Sequence, residues 1–151
     1  MSKNMKNNIT EIEVKYKLNG VDTKRVKISK SQDAYEAFIR NWNLDTIELL
    51  EEFKVLLLNR ANEVLGIYVV GKGGITGVSV DIRLLFAVVL KSCSTAIITC
   101  HNHPSGNLKP SKADTIVYDK VKKVAKTMDI SLLDNLIISK VGFYSFQDNL
   151  K

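Results

Sequence analysis

Residues 53–59, FKVLLLN, are an almost unbroken apolar run, and TAIITC at 95–100 is a second. A strand with one face in water alternates apolar with polar residues, whereas a continuous run belongs to a strand covered on both faces. That requirement predicts helices on either side of a central sheet. The neighbouring segments supply them. VLGIYVVG (64–71) follows the turn RANE (60–63) as an antiparallel partner. Asp81 is placed to cap a mostly apolar helix, IRLLFAVVLKS. Pro110 and Ser111 open a helix through about Met128, with Ile116, Val117, Val121, Val124 and Met128 predicted inward and four lysines outward. LIIS (136–139) and GFYSF (142–146) finish as two strands about Gly142. The predicted class is α/β (α+β): three layers, with a mixed central β-sheet flanked by helices.

Ahead of this body, ITEIEVKYK alternates Ile12, Val14 and Tyr16 with charge, Asn19-Gly20 is a hairpin signal, and KRVKIS returns as a second strand. Ser31 is placed to cap a helix through about Trp42 with Ala34, Phe38 and Trp42 on one face, and TIELL adds a helical turn. The expected division is a basic hairpin and helix over 1–45, packed on a domain spanning 46–151. Residues 1–30 hold eight Lys/Arg against three acids, so +5 of the net +6 lies there. Such an arm can attract phosphates or serve as a solvated face. There is no apolar run of ~18 residues for a membrane span and no apolar leader, which points to an intracellular, cytoplasmic protein. Cys93 and Cys100 make no disulfide framework and are read as small core residues. The glycine-rich GKGGITG lacks the Lys-Ser/Thr that closes a phosphate loop, so its glycines are assigned to backbone turns or a bulge.

The chemistry concentrates in CHNHPSGNLKPSKAD, residues 100–114, which contains both histidines of the chain. Side chains two apart on an extended segment share a face, so His101 and His103 can present both imidazoles to one ion. Asp114 follows on the first turn of the next helix. Two imidazoles and one carboxylate leave a fourth tetrahedral position open, the form of catalytic zinc. Zinc would acidify a bound water and polarise a carbonyl oxygen. Ser111 and Asp114 also match a capping box, a role the same Asp can combine with ligation. Cys100 alternates to the opposite side. A proton carrier is also required, and Glu51 and Glu52, at the mouth of the first buried strand, are the candidates.

HNHPSGNLKPSKAD resembles the JAMM signature of JAB/MPN metalloproteases: His-x-His-Pro, a Ser eight residues after the second His, and an Asp three further on. HNHPSG with LLDNLIIS, and EEFKVLLLNRANEVLG with GGITGVSVD, resemble the bacterial RadC branch over about 51–146. The resemblance implies a cytidine-deaminase-like fold with one Zn2+ held by His101, His103 and Asp114. It gives Ser111 the role of stabilising the oxyanion and, counted from the following Phe, Glu51 that of general acid/base, with Glu52 the fallback. Two departures stand out. Asn135 occupies a position where the family often has His, and no helix-hairpin-helix is visible in the residues ahead of Glu51, which read as a basic hairpin and a helix.

The expected function is a zinc-dependent hydrolase of peptide or isopeptide bonds. The alternatives are a nucleic-acid-associated DNA-repair factor or nuclease on the same metal, and a metal-binding interaction module without turnover. Exposed strand edges and GFYSF could support a homodimer.

Overall fold

The computed structural model describes residues 8–13, 24–74 and 77–150. Its elements are α1 (Ser31–Arg40), β1 (Glu52–Leu58), β2 (Val64–Lys72), α2 (Ile82–Lys91), β3 (Ala96–Asn102), α3 (Lys112–Thr127), β4 (Ser131–Ser139) and β5 (Gly142–Ser145). The strands form one sheet in the order β2-β1-β3-β4-β5. Only β3 and β4 are parallel, and α3 is the crossover between them. The other neighbours are antiparallel. The class is α/β, as the sequence predicts.

Every residue of β1 and β3 is buried, and alternation sorts their side chains onto two cores. Leu56, Leu58, Ile98, Cys100, Leu136 and Ile138 pack on one face beneath Ala34 and Phe38 of α1. Phe53, Val55, Leu57 and Ile97 pack on the other beneath α2 and α3. Two short helices with wide apolar faces and one long amphipathic helix thus cover the sheet on both sides, which is what the central runs require.

Several local details differ from the sequence-based expectation. Ser31 is the first helical residue rather than the cap. The orphan amides of Ser29 and Lys30 donate instead to the Asp33 carboxylate, at 2.9 and 3.1 Å, while the Ser31 hydroxyl reaches Asp148 at 2.5 Å. The helix ends at Arg40, yet Trp42 remains buried. Ile12 is exposed and residues 8–13 form no strand. KRVKIS contributes a single bridge, Lys27 to Glu63, flanked by hydrogen bonds from Ile28 N to Asn62 O and from Val64 N to Val26 O. Val14, Tyr16 and Asn19-Gly20 lie outside the described residues. On α3, Ile116 and Met128 are exposed, and Tyr118, Val121 and Ala125 form the buried stripe. Cys93 is exposed, because it takes a left-handed backbone (φ 55°) just past the end of α2 and points outward. Cys100 is fully buried. No helix among the described residues is long and apolar enough to cross a membrane.

Candidate metal centre

Strand β3 carries the histidines to the carboxyl end of the sheet, where the chain leaves for α3, the usual place for a site in an α/β fold. His101 is its penultimate residue, 3% exposed, with its ring stacked parallel to Phe53 on the adjoining strand at a centroid distance of 6.0 Å. His103 lies just beyond, and its main-chain amide donates to Ile138 O, so the segment stays extended. Both rings therefore project to the α3 side. The turn at Pro104–Gly106 uses a left-handed Gly106 (φ 80°), which a side chain would strain. After it the chain enters α3 through a complete capping box. The Ser111 hydroxyl accepts from Asp114 N at 3.1 Å, and Asp114 Oδ2 accepts from Ser111 N at 2.8 Å.

The box leaves the Asp114 carboxylate aimed at the histidines. His101 Nε2 is 3.1 Å from Asp114 Oδ1, His103 Nε2 is 3.1 Å from Asp114 Oδ2, and the two Nε2 atoms are 3.1 Å apart. A tetrahedral ion held at ~2.0–2.1 Å by N and O ligands separates them by about 3.3 Å, close to each of these separations, with the two His–Asp contacts running to different carboxylate oxygens. Proton placement points the same way. His103 Nδ1 is 2.5 Å from the carbonyl oxygen of Asn107, which can only accept, so Nδ1 carries the hydrogen and Nε2 of the neutral ring presents a lone pair. That outer contact is the usual device for orienting a metal-binding histidine. Either a cation or a proton carried on Nε2 can hold these atoms together at this distance.

The electrostatics follow from the same contacts. Burial alone would raise the Asp114 carboxyl pKa, but hydrogen bonds from the imidazoles in their Nε2-protonated form and from the Ser111 amide outweigh it and hold the group well below the usual carboxylate range. Asp114 thus stays anionic. The hydrogen bond to Asp114 raises the pKa of His103 against the opposing effect of burial.

Glu51 sits immediately before β1, half-buried, and its carboxylate and the imidazole nitrogens of His101 and His103 lie within 4.8 Å of one another. Its backbone is held by the glycine loop: Gly73 N donates to Glu51 O at 2.8 Å and Glu51 N to Gly74 O at 3.4 Å. At Gly73 a Cβ would collide with Gly77 O, so the loop can close on Glu51 only without a side chain there. Glu52 turns to the opposite face, buried, with Lys54 and Lys72 at 3.9 and 3.8 Å. The two candidate carboxylates are therefore separated by the sheet itself.

A cleft of about 360 Å³ opens over this group. Glu51, His101, His103, Ser111 and Asp114 line it together with an apolar wall that includes Phe53, Val78, Val80, Val117 and Val121. Thr99 and Asn135 also line it, with Thr99 Oγ1 donating to Asn135 Oδ1 at 2.8 Å. Sequence reasoning passed over three contributors: the stacking of Phe53 on His101, the Asn107 carbonyl, and Thr99 as the partner of Asn135, the position already noted as a departure from the family. Alternation could have placed Thr99 on the face of His101, but strand register and a main-chain carbonyl leave no trace in residue types.

Comparison with known proteins shows the family. The sequence profile of the RadC-like JAB domain matches residues 28–151. A UPF0758 protein of Flavobacterium johnsoniae is 47% identical over 98 residues, covering 65% of this chain and 43% of the relative. One from Pelodictyon phaeoclathratiforme is 38% identical over 102 residues, covering 68% and 46%. One from Shewanella amazonensis is 33% identical over 136 residues, covering 90% and 60%. The chain spans about half the length of these curated relatives. With the profile covering all but the first 27 residues, the chain belongs to the RadC-like JAB domain family.

Proposed function

We propose that this chain is a zinc-dependent hydrolase of peptide or isopeptide bonds, acting in the cytoplasm. The observation that carries the proposal is the convergence of two imidazole nitrogens and the Asp114 carboxylate at 3.1 Å, with a second carboxylate, Glu51, beside them at an open cleft. The donor set, two His and one Asp, suits zinc and leaves a coordination position for substrate or water. When bound, the ion supplies a water acidic enough to react near neutral pH and a Lewis acid for the substrate carbonyl.

The chain's own residues do the remainder. Glu51 accepts a proton from the attacking water and returns it to the departing amine nitrogen, the role of a carboxylate held within a few ångströms of both. Ser111 uses a lone pair of Oγ to cap α3, which leaves its hydroxyl proton free to donate to the developing oxyanion. The apolar wall excludes water from the rest of the substrate. Among the described residues no Lys or Arg lines the cleft, so no cationic side chain there pairs with a phosphate backbone, and the nucleic-acid alternative draws no support from the site's charge.

The test is digestion of a peptide library and of lysine-branched isopeptides by zinc-loaded protein, read by mass spectrometry beside Glu51→Gln. Cleavage that falls at least ~100-fold in Glu51→Gln while zinc is retained is the expected result. Absence of cleavage across the library, or equal cleavage by the variant, would overturn the proposal.

A further inference from the structure

Asn102 stands between the two histidines, and strand alternation turns its side chain to the opposite face of the sheet. It is 0% exposed. Among the described residues its side-chain hydrogen bonds go to one short segment. Nδ2 donates to Ile47 O at 2.7 Å and to Leu50 O at 2.8 Å, and Oδ1 accepts from Glu52 N at 2.8 Å. Two of these three partners immediately flank Glu51.

We propose that Asn102 is a positioning residue that holds the Glu51 carboxylate in register with the two imidazoles. The pairing of β1 with β3 begins only at Phe53 and His101, so the ladder itself does not reach Glu51. The glycine loop fixes Glu51 from the β2 side, through Gly73 and Gly74. Asn102 fixes it from the β3 side, the strand that carries the histidines. A primary amide suits this position, because two N–H donors meet two carbonyls and one oxygen meets one amide. Aspartate would set a charge against both carbonyls, and alanine would strand three main-chain groups, two of them buried and the third, Leu50 O, part-buried. One side chain between the histidines thereby ties the proton carrier to the strand that bears the imidazoles.

The inference rests on the acid/base role proposed for Glu51, and its test has two independent readings. In the first, cobalt replaces zinc in the full chain, and the pseudocontact shift of the 13C-labelled Glu51 carboxyl, assigned with Glu51→Gln, is compared among wild type, Asn102→Ala and the near-isosteric Asn102→Asp. Cobalt affinity within about threefold of wild type, with a displaced or broadened Glu51 resonance, is expected, because the ligands themselves lie on β3 and α3. An unmoved Glu51 resonance in both variants would overturn the inference. The second is a double-mutant cycle on a cleaved peptide. Asn102→Ala should lower kcat roughly 10–100-fold with little change in KM, and should lower it no further in a Glu51→Gln background. An equal loss in both backgrounds would reduce Asn102 to a general structural role and overturn the inference. Wild type that cleaves nothing would sink the hydrolase proposal, while the cobalt shifts would still decide the positioning.

Discussion

Replacing Ser111 by alanine separates two roles that one hydroxyl combines. The structural role is the cap. Ser111 Oγ accepts from Asp114 N at 3.1 Å, while the reverse bond, from Ser111 N to Asp114 Oδ2 at 2.8 Å, survives the substitution. Losing half the box costs about 1 kcal/mol. For a chain of 151 residues that lowers Tm by about 2–4 °C. A domain of ordinary stability, about 5–15 kcal/mol, then stays more than ~99% folded, so unfolding removes almost none of the active molecules. The proposed chemical role is far larger, since removing one oxyanion donor lowers kcat about 10²–10³-fold, or roughly 2.7–4 kcal/mol. Ser111→Gly should show the same kcat loss with only a few tenths of a kcal/mol of destabilisation, because glycine is tolerated at a cap. The assay is steady-state kinetics on zinc-loaded protein, with metal content and calorimetry on the same samples. A Tm drop accompanied by a kcat change of no more than about twofold would refute the oxyanion role and leave Ser111 as a cap alone.

The other predictions concern the rest of the fold. Glu52→Gln removes the negative charge beside the buried Lys54 ammonium and leaves it neutral partners, the new amide oxygen, the Asn41 carbonyl at 2.8 Å and the Trp42 ring at 4.2 Å; it should cost roughly 1–3 kcal/mol by denaturant titration yet keep kcat per folded molecule, and a loss like that of Glu51→Gln would contradict the assignment of faces. Leu85, 0% exposed on the inward face of α2, should cost about 2–5 kcal/mol when replaced by alanine; a loss under ~1 kcal/mol would show that the site collapses around the cavity. Burial raises the Asp134 carboxyl pKa above its ordinary 3.8, against hydrogen bonds from Ser145 and two main-chain amides. The folded state therefore holds that proton more tightly, and the group's contribution is full below the ordinary value and lost as pH rises through the folded one. The stability of Asp134→Asn relative to wild type should accordingly increase as pH rises from about 4; a flat or falling difference would contradict the raised pKa.

What the residues disclosed depended on how local the signal was. The apolar runs of β1 and β3 dictated a sheet covered on both faces, and Asp81 and Ser111 marked two helix starts that the structure keeps, with Asp81 Oδ1 accepting from Arg83 N and Leu84 N. His101, His103 and Asp114 were legible as a group because a period of two and a capping box each fix direction over a few residues. The same pattern was silent on Asn102, whose importance comes from a turn 50 residues earlier in the chain. Ile116 was misplaced because its apolar character outweighed a helical phase that puts Tyr118 and Ala125 inside. Glu51 and Glu52 could be separated by face only through register, which a count from Phe53 supplies and periodicity does not.

The central claim is that His101, His103 and Asp114 together hold one divalent ion. It is tested most directly by the metal content of protein purified without a polyhistidine tag, measured by mass spectrometry after zinc is resupplied. Wild type, Glu51→Gln and Glu52→Gln should each carry about one zinc per chain, and folded His103→Ala and Asp114→Ala should carry almost none. Metal-free wild type, or zinc retained equally in His103→Ala and Asp114→Ala, would contradict the claim.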